Sequence, residues 1–314
     1  MGGRRVAVTG ATGFLGRHVV RVFREAGWRV RIIARRDPIA LSLGEVEVVP
    51  GDLDDGEALR TLCAGAELVV HAGGLIKAAR AADFTRVNVR GAANVAAAVE
   101  SVAPAARVLL VSSLAAREPS LSGYAASKRR AEDAMSVLGE RLIVVRPTAI
   151  YGPGDQETFQ FIAAAAKGWP LPLFDSAARL TTVHVDDVAR ELVAFADGPA
   201  RSQPQAICDD HPEGYSWREL MMAISAAVGT NPKLLRLPAM ALRVAGWAGQ
   251  ATHLIGKPAI VSPGKVRELL HPDWSIADSE RSRSGHVPGF TLERGLADTV
   301  AWARNHGWLG LPAR

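Results

Sequence analysis

Eight residues near the N-terminus, Thr9-Gly10-Ala11-Thr12-Gly13-Phe14-Leu15-Gly16, leave this chain few choices of fold. They follow a short β-type run at Arg5–Thr9. They open a stretch from Gly13 to Ala26 with helical spacing, where Phe14, Val19, Val22 and Phe23 share one face. Gly27 stops that helix. Glycines at 10, 13 and 16 have separate tasks in a strand–turn–helix of this kind. The first permits the tight turn, the second lets the backbone approach a diphosphate, and the third lets helix and strand pack closely. The diphosphate would sit on the helix N-terminus, where unpaired N–H groups and the helix dipole favour negative charge. A glycine trio alone is a weak signal; the strand before it and the helix after it supply the context that a dinucleotide-binding turn requires. Gly10, Thr12, Gly13, Phe14, Leu15 and Gly16 are the expected cofactor contacts.

The pattern then repeats. Strands are expected at Val30–Ile33, Val46–Val49, Leu68–His71, Val108–Ser112 and Leu142–Val145, alternating with helices over Asp55–Leu62, Val87–Ser101 and Tyr124–Leu138. The strands are continuous apolar runs, as expected for a sheet covered on both faces and joined by right-handed crossovers. The fold class expected is α/β, a Rossmann-type doubly wound parallel sheet with a smaller C-terminal substrate-binding lobe. The dinucleotide-binding domain is expected over 1–150 plus about 181–198, where Thr182–Val185 and Asp187–Ala196 would return to the sheet. The lobe takes about 151–180 and 199–314. It holds Trp217, Trp247, Trp274, Trp302 and Trp308, which either frame an apolar pocket or are ordinary core and surface residues.

Composition narrows the function class. Of the 314 residues, 48% are hydrophobic and 22% charged, which excludes disordered, collagenous and coiled-coil chains. The net charge of +5 is spread thinly, so no nucleic-acid footprint is expected. Cys63 and Cys208 have no CxxC partner, which predicts neither a disulfide framework nor a zinc site, and a reducing, cytoplasmic setting. No apolar run is long enough for a membrane span. The apolar run from Met240 to Gly249, broken by Arg243, is expected as a helix in the core or at a substrate pocket rather than as an anchor.

The end of the second strand bears on the cofactor. NAD-binding chains usually carry an acid there, about 20 residues past the glycines, for the ribose hydroxyls. Here the place falls near Ala34 and is followed by Arg35 and Arg36. Guanidinium groups suit a 2′-phosphate, so NADP(H) is favoured over NAD(H). A register shift bringing Asp37 to the ribose is the alternative.

Tyr124 and Lys128 stand four residues apart at the start of a helix and so share a face. An ammonium nearby is expected to lower the phenol's pKa from about 10 and fit it for proton transfer. The strand upstream ends in Ser112-Ser113, whose hydroxyls suit a carbonyl or alcohol oxygen.

With these features the chain resembles the short-chain dehydrogenase/reductase superfamily, in its extended branch of NAD(P)-dependent epimerases and dehydratases. The resemblance runs from Arg5 to about Ala196 and is weaker beyond. Several segments carry it: Gly51-Asp52-Leu53, His71-Ala72-Gly73-Gly74, Val87-Asn88-Val89-Arg90-Gly91, Arg146-Pro147-Thr148-Ala149-Ile150-Tyr151-Gly152-Pro153-Gly154, and Val183-His184-Val185-Asp186-Asp187-Val188-Ala189. It implies Tyr124 as general acid/base, Lys128 as ribose ligand, and Ser113 as the holder of the reacting oxygen, with Ser112 as the competing assignment. It further implies cofactor contacts from Asp52 and Leu53 about the adenine, and from Ala72, Gly73, Asn88, Ser112, Tyr124, Lys128, Pro147, Thr148 and Ile150. A homodimer through helices flanking the sheet is an expectation from the family alone.

The departures are informative. Ser113-Leu114-Ala115-Ala116 lacks the acidic pair of the sugar dehydratases, and Ala206-Ile207-Cys208-Asp209-Asp210 replaces an Asn-x-Gly strand common in nucleotide-sugar enzymes. The expected activity is hydride transfer between the nicotinamide and a small-molecule carbonyl or alcohol. A nucleotide-sugar epimerase with tightly held NAD and a non-catalytic dinucleotide sensor or assembly subunit are the competing readings. The missing acidic pair stands against a dehydratase and the replaced Asn-x-Gly strand against a nucleotide-sugar substrate, although Arg179, Arg218, Arg236 and Arg267 would suffice for a diphosphate clamp. His71 and His184 are expected to pack rather than react, and Asp186-Asp187 to cap a helix rather than hold a metal.

Overall fold

The computed structural model describes residues 3–35, 43–78, 80–174, 177–251 and 262–309. The first half, in chain order, contains β1 (Arg5–Thr9), α1 (Phe14–Glu25), β2 (Arg29–Ala34), β3 (Glu47–Pro50), α2 (Gly56–Cys63), β4 (Leu68–His71), α3 (Ala81–Phe84), α4 (Gly91–Val102), β5 (Arg107–Val111), α5 (Gly123–Met135) and β6 (Leu142–Pro147). There follow β7 (Ala149–Tyr151), α6 (Gln156–Ala166), β8 (Leu171–Leu173), β9 (Arg179–Leu180), β10 (Thr182–His184), α7 (Val185–Asp197) and β11 (Gln205–Ile207). The last part holds α8 (Trp217–Val228), β12 (Leu234–Arg236), α9 (Ala239–Ala251), α10 (Pro263–Leu269), β13 (Asp273–Trp274) and α11 (Leu292–Asn305).

Seven parallel strands form one sheet in the order β11-β6-β5-β4-β1-β2-β3. The chain runs outward from β1 through β2 to β3, then returns on the other side of β1 as β4. That reversal opens a crevice beyond the carboxyl ends of β1 and β4, the place where doubly wound sheets take ligands. Successive residues of each strand face opposite layers. Val6, Val8 and Ile32 pack with Val19, Val20 and Phe23 of α1 and with Val188, Leu192 and Phe195 of α7. Ala7, Ile33, Val69 and Val108 pack with Leu59 of α2, Val95 and Val99 of α4, and Met135 of α5. Apolar contact on both faces is the physical reason that the strands read as unbroken apolar runs. A third core joins α6, α8 and α11 through Ile162, Trp217, Leu220, Leu296 and Val300, with Tyr151 between them.

Four elements differ from expectation. Thr182–His184 does not return to the central sheet; it pairs with β7 in a two-stranded sheet, while α7 alone comes back to cover α1. The seventh strand is instead β11, which pairs with β6 through Gln205↔Val145 and Ile207↔Pro147. It lies inside the range expected for the lobe. The helix expected from Val87 begins earlier, at Ala81, and passes through a π-helical turn at Thr85–Arg90 before α4. The Met240–Gly249 run does form a helix, but its Met240, Val244 and Trp247 are exposed rather than in the core.

Candidate active site

The turn after β1 is built around three close approaches. Gly10 has φ +73°, and a Cβ there would stand 2.6 Å from the nitrogen of Gly73 and 2.7 Å from the carbonyl of Ala72. A Cβ on Gly16 would fall 2.0 Å from the Gly10 carbonyl oxygen. Gly13 is the N-cap of α1, and no side chain caps that helix. The first-turn N–H groups therefore face the crevice without a protein acceptor from the cap, flanked by exposed Thr12 and part-buried Phe14 and Leu15. This cradle, which any Cβ at residue 10 or 16 would disrupt, fits a diphosphate.

The neighbouring loops close on the same crevice. Thr9 Oγ1 bonds His71 Nδ1 at 2.7 Å and accepts from Gly73 N at 3.2 Å, which ties the end of β1 to the loop Ala72–Gly73. Burial, with the nearby charge of Lys128, pushes the His71 imidazole down to about 3, so the ring is neutral and packed. Leu53 fills the space beside Gly73 and Gly91, and Asn94 Nδ2 donates to its carbonyl at 2.8 Å. Asp52 is exposed and accepts from Asp54 N. Arg35 is exposed at the end of β2, with no acidic partner among the described residues; Arg36 and Asp37 lie outside them. Across the crevice, Pro147 ends β6, and Ile150 packs on the sheet core. Thr148 Oγ1 is buried and has no protein partner. A buried unpaired hydroxyl costs about 1–3 kcal/mol, so it marks a point where a polar ligand group is wanted.

The Ser, Tyr and Lys of the motif come together where β5 meets α5. Ser122 Oγ accepts from Ala125 N at 2.9 Å and starts α5 beside the end of β5. Tyr124 stands in the first turn, with Lys128 and Glu132 one and two turns on. Burial pushes the Tyr124 phenol up to about 12; a hydrogen bond from Ser113 pulls the other way, and the Glu268 carboxylate of α10 adds to the rise. Lys128 does not lower the phenol as expected from spacing. Its ammonium donates to the Val111 carbonyl at 2.7 Å, and burial brings its own pKa to about 8 against the raising influence of Glu132.

The two serines have different surroundings. Ser112 is buried and donates to Glu132, whose carboxylate is gripped by Arg146 through Nε at 2.9 Å and Nη2 at 2.6 Å. Ser113 faces Tyr124 and caps the short 3₁₀ turn at Leu114–Arg117. Asn88, in the π turn, bonds Leu75 N and O and donates to Ser127 Oγ, which donates to the Tyr124 carbonyl. The extra residue of a π turn thus brings a buried amide against the helix that carries Tyr124. Sequence reasoning missed Glu132, although its place four residues past Lys128 puts it on the Tyr124 face of α5.

Other candidates resolve into structure. His184 is fully buried, stacks on Phe290 at 3.8 Å and caps α7 by accepting from Asp186 N. Asp186 and Asp187, expected as caps, tether instead. Asp186 binds His18 and Arg21, which outweigh its burial and hold it below the usual carboxylate range; Asp187 accepts from Gly289 N and Phe290 N. A cleft of about 550 Å³ in the lobe is lined by Arg179, Glu213, Asp273 and Ser275 among others, and by none of Ser113, Tyr124 or Lys128. Arg179 pairs with Glu219, and Arg267 donates to the Leu121 carbonyl, so these two do not form one clamp.

Comparison with known proteins places this architecture. The NAD dependent epimerase/dehydratase family matches residues 6–208. A ceramide reductase of Caulobacter vibrioides is 45% identical over 97% of this chain and 96% of its own length. A 2-alkyl-3-oxoalkanoate reductase of Stenotrophomonas maltophilia is 28% identical, covering 93% and 97%. The crystal structure of gox2253 is similar in fold, with TM-score 0.78 and 24% identity over 98% of this chain and 99% of that one. The chain belongs to the NAD-dependent epimerase/dehydratase family, in the extended branch of the short-chain dehydrogenases/reductases, and is an NAD(P)-dependent oxidoreductase.

Proposed function

We propose that the protein is an NADP(H)-preferring reductase that converts the keto group of a long-chain, ceramide-like lipid to an alcohol. The observation that carries the chemistry is Ser113 set against Tyr124, with Lys128 one turn further along α5; reduction as the direction is supported by the similarity to a reductase. In carbonyl reduction the neutral phenol gives a proton to the oxygen, and in the reverse reaction the phenolate takes it back. The 45% identity with a ceramide reductase, over nearly the whole of both chains, supports the lipid class.

When bound, the nicotinamide supplies the hydride. The glycine turn and the first turn of α1 would hold the diphosphate, and Arg35 would pair with the 2′-phosphate. Lys128 would hold the nicotinamide ribose. Ser113 donates a hydrogen bond to the carbonyl oxygen and fixes it beside Tyr124. Tyr124 would give its proton to the carbonyl oxygen as that oxygen gains negative charge.

The test is nicotinamide turnover with a panel of keto lipids and nucleotide sugars. NADPH should be consumed with keto lipids, and Tyr124→Phe should cut turnover by about 10²–10⁴ while leaving cofactor binding intact. Epimerisation of a nucleotide sugar with no net change in nicotinamide would refute the proposal.

A further inference from the structure

Residues 220–267 contain no aspartate or glutamate and six basic residues, Lys233, Arg236, Arg243, Lys257, Lys265 and Arg267. The 37 basic residues of the chain less these six fall short of its 32 acidic ones, so the whole positive excess resides in this stretch. Within it, α9 turns an apolar face outward. Met240, Val244 and Trp247, spaced as one helical stripe, are 65%, 61% and 69% exposed, and Leu235 of β12 is 54% exposed. The opposite face is the packed one. Leu242 is buried, and a Cβ on Gly246 would lie 3.0 Å from Val266 of α10. Arg236 and Arg243 are exposed on either side of Met240 in sequence. Trp169 lies just before β8, the partner strand of β12, and is also exposed, with Lys167 over its ring.

We propose that α9, with β12 before it, is the surface by which the protein rests on an anionic lipid bilayer, from which its substrate enters. The inference rests on the keto-lipid reading above. A stripe of Met, Val and Trp bordered by arginine is the pattern of a helix lying in the membrane interface, and each basic residue near an anionic surface adds to the attraction. Among the described residues α9 runs for thirteen, and no helix there is long and apolar enough to cross a bilayer. Arg236 and Arg243, exposed beside the stripe in a stretch of 48 residues without a carboxylate, match an anionic partner. A second copy of the same basic face would be repelled, and an anionic lipid surface is attracted. The route to the chemistry is short. α10 packs beneath α9 and against the start of α5: a Cβ on Gly264 would meet Ser122 Cβ at 2.8 Å, Arg267 Nε donates to the Leu121 carbonyl at 2.6 Å, and Ser122 donates to Glu268. The docking face is therefore one helix away from the turn that carries Tyr124.

The test is co-sedimentation of the full chain with vesicles of phosphatidylcholine alone or mixed with phosphatidylglycerol. Binding is expected to the mixed vesicles and to fall with added salt. Arg236→Ala and Arg243→Ala should each weaken it about fivefold. Val244→Ser with Trp247→Ser should weaken it at least about tenfold. All four substitutions should leave NADPH turnover of a short-chain, water-soluble ketone unchanged, so a failure of the reductase reading is seen there and a failure of docking in the vesicles. No binding to mixed vesicles, or binding indifferent to these substitutions, overturns the proposal. So does a dimer in solution that Trp247→Ser dissociates, which would make the face a contact between copies of the chain.

Discussion

Glu132→Gln is the most searching perturbation of this structure. Glu132 and Arg146 retain only 7% and 10% of their side-chain exposure, and their bidentate bonds of 2.9 and 2.6 Å take place behind the active site with Ser112 as third member. Glutamine preserves shape and an acceptor oxygen but leaves the Arg146 guanidinium buried without a counter-charge. Breaking one side of such a pair costs about 3–5 kcal/mol, a large part of the roughly 5–15 kcal/mol that holds a domain folded. Urea denaturation followed by tryptophan fluorescence should register the loss as a lowered midpoint at unchanged slope. The companion variant Glu132→Leu with Arg146→Met removes both charges and should recover most of the loss. The substitution also reaches the chemistry. Glu132 raises the pKa of Lys128, which burial has brought to about 8; without the carboxylate, Lys128 loses its proton at lower pH. If its charge supports turnover, the alkaline limb of the pH–rate profile moves downward. A stability loss under about 1 kcal/mol, or a limb that moves upward, would refute the argument.

Three further outcomes are expected. Ser113→Ala should lower turnover with little change in cofactor affinity, whereas Ser112→Ala should mainly lower stability, by about 1 kcal/mol; the reverse pattern in steady-state kinetics and melting would exchange their roles. Gly16→Ala drives a methyl into the Gly10 carbonyl, so it should destabilise the fold by about 1–3 kcal/mol and weaken dinucleotide binding measured by calorimetry. His71 binds a proton near pH 6.5 when unfolded but only near 3 when folded, so stability falls as pH drops through that window. The loss is about 1.4 kcal/mol per pH unit, and His71→Asn should flatten the fall in urea midpoint between pH 7 and 5 relative to the unsubstituted protein.

The central sheet was legible because burial on two faces writes itself as unbroken apolar runs. β1 and β4 have the bounds expected from the sequence, Arg5–Thr9 and Leu68–His71. β11 was not legible as a sheet strand, since three residues carry no periodicity and its place comes from pairing with β6 across a long separation. β10 reads as a strand correctly, but a strand pattern does not name its partner. The shared face of Tyr124 and Lys128 followed from their four-residue spacing, and Ser113 beside them from the family resemblance. The buried Glu132–Arg146 pair did not, although Glu132 continues the four-residue rhythm of Tyr124 and Lys128. The direction of the Tyr124 shift depends on how dry the phenol is, a three-dimensional property. For α9, apolar spacing predicts a face, and only packing decides whether anything covers it.

β11 and the segment beside it also define where the lobe is fastened to the sheet. Ala206 N donates to the Glu280 carbonyl at 2.8 Å, and Ser282 N donates to the Ala206 carbonyl at 2.8 Å. The chain thus leaves the sheet after Ile207 and comes back alongside it at Glu280, so residues 208–279 are an insertion whose ends lie together. Insertions with adjacent, hydrogen-bonded ends are the kind that a scaffold accepts in exchange. A cut at Gly198 would instead strip β6 of its neighbour and leave a raw edge that invites aggregation. α8 to β13 thus join the sheet through one hydrogen-bonded neck, while α8, β12 and β13 are tied to α6, β8 and β9 outside it.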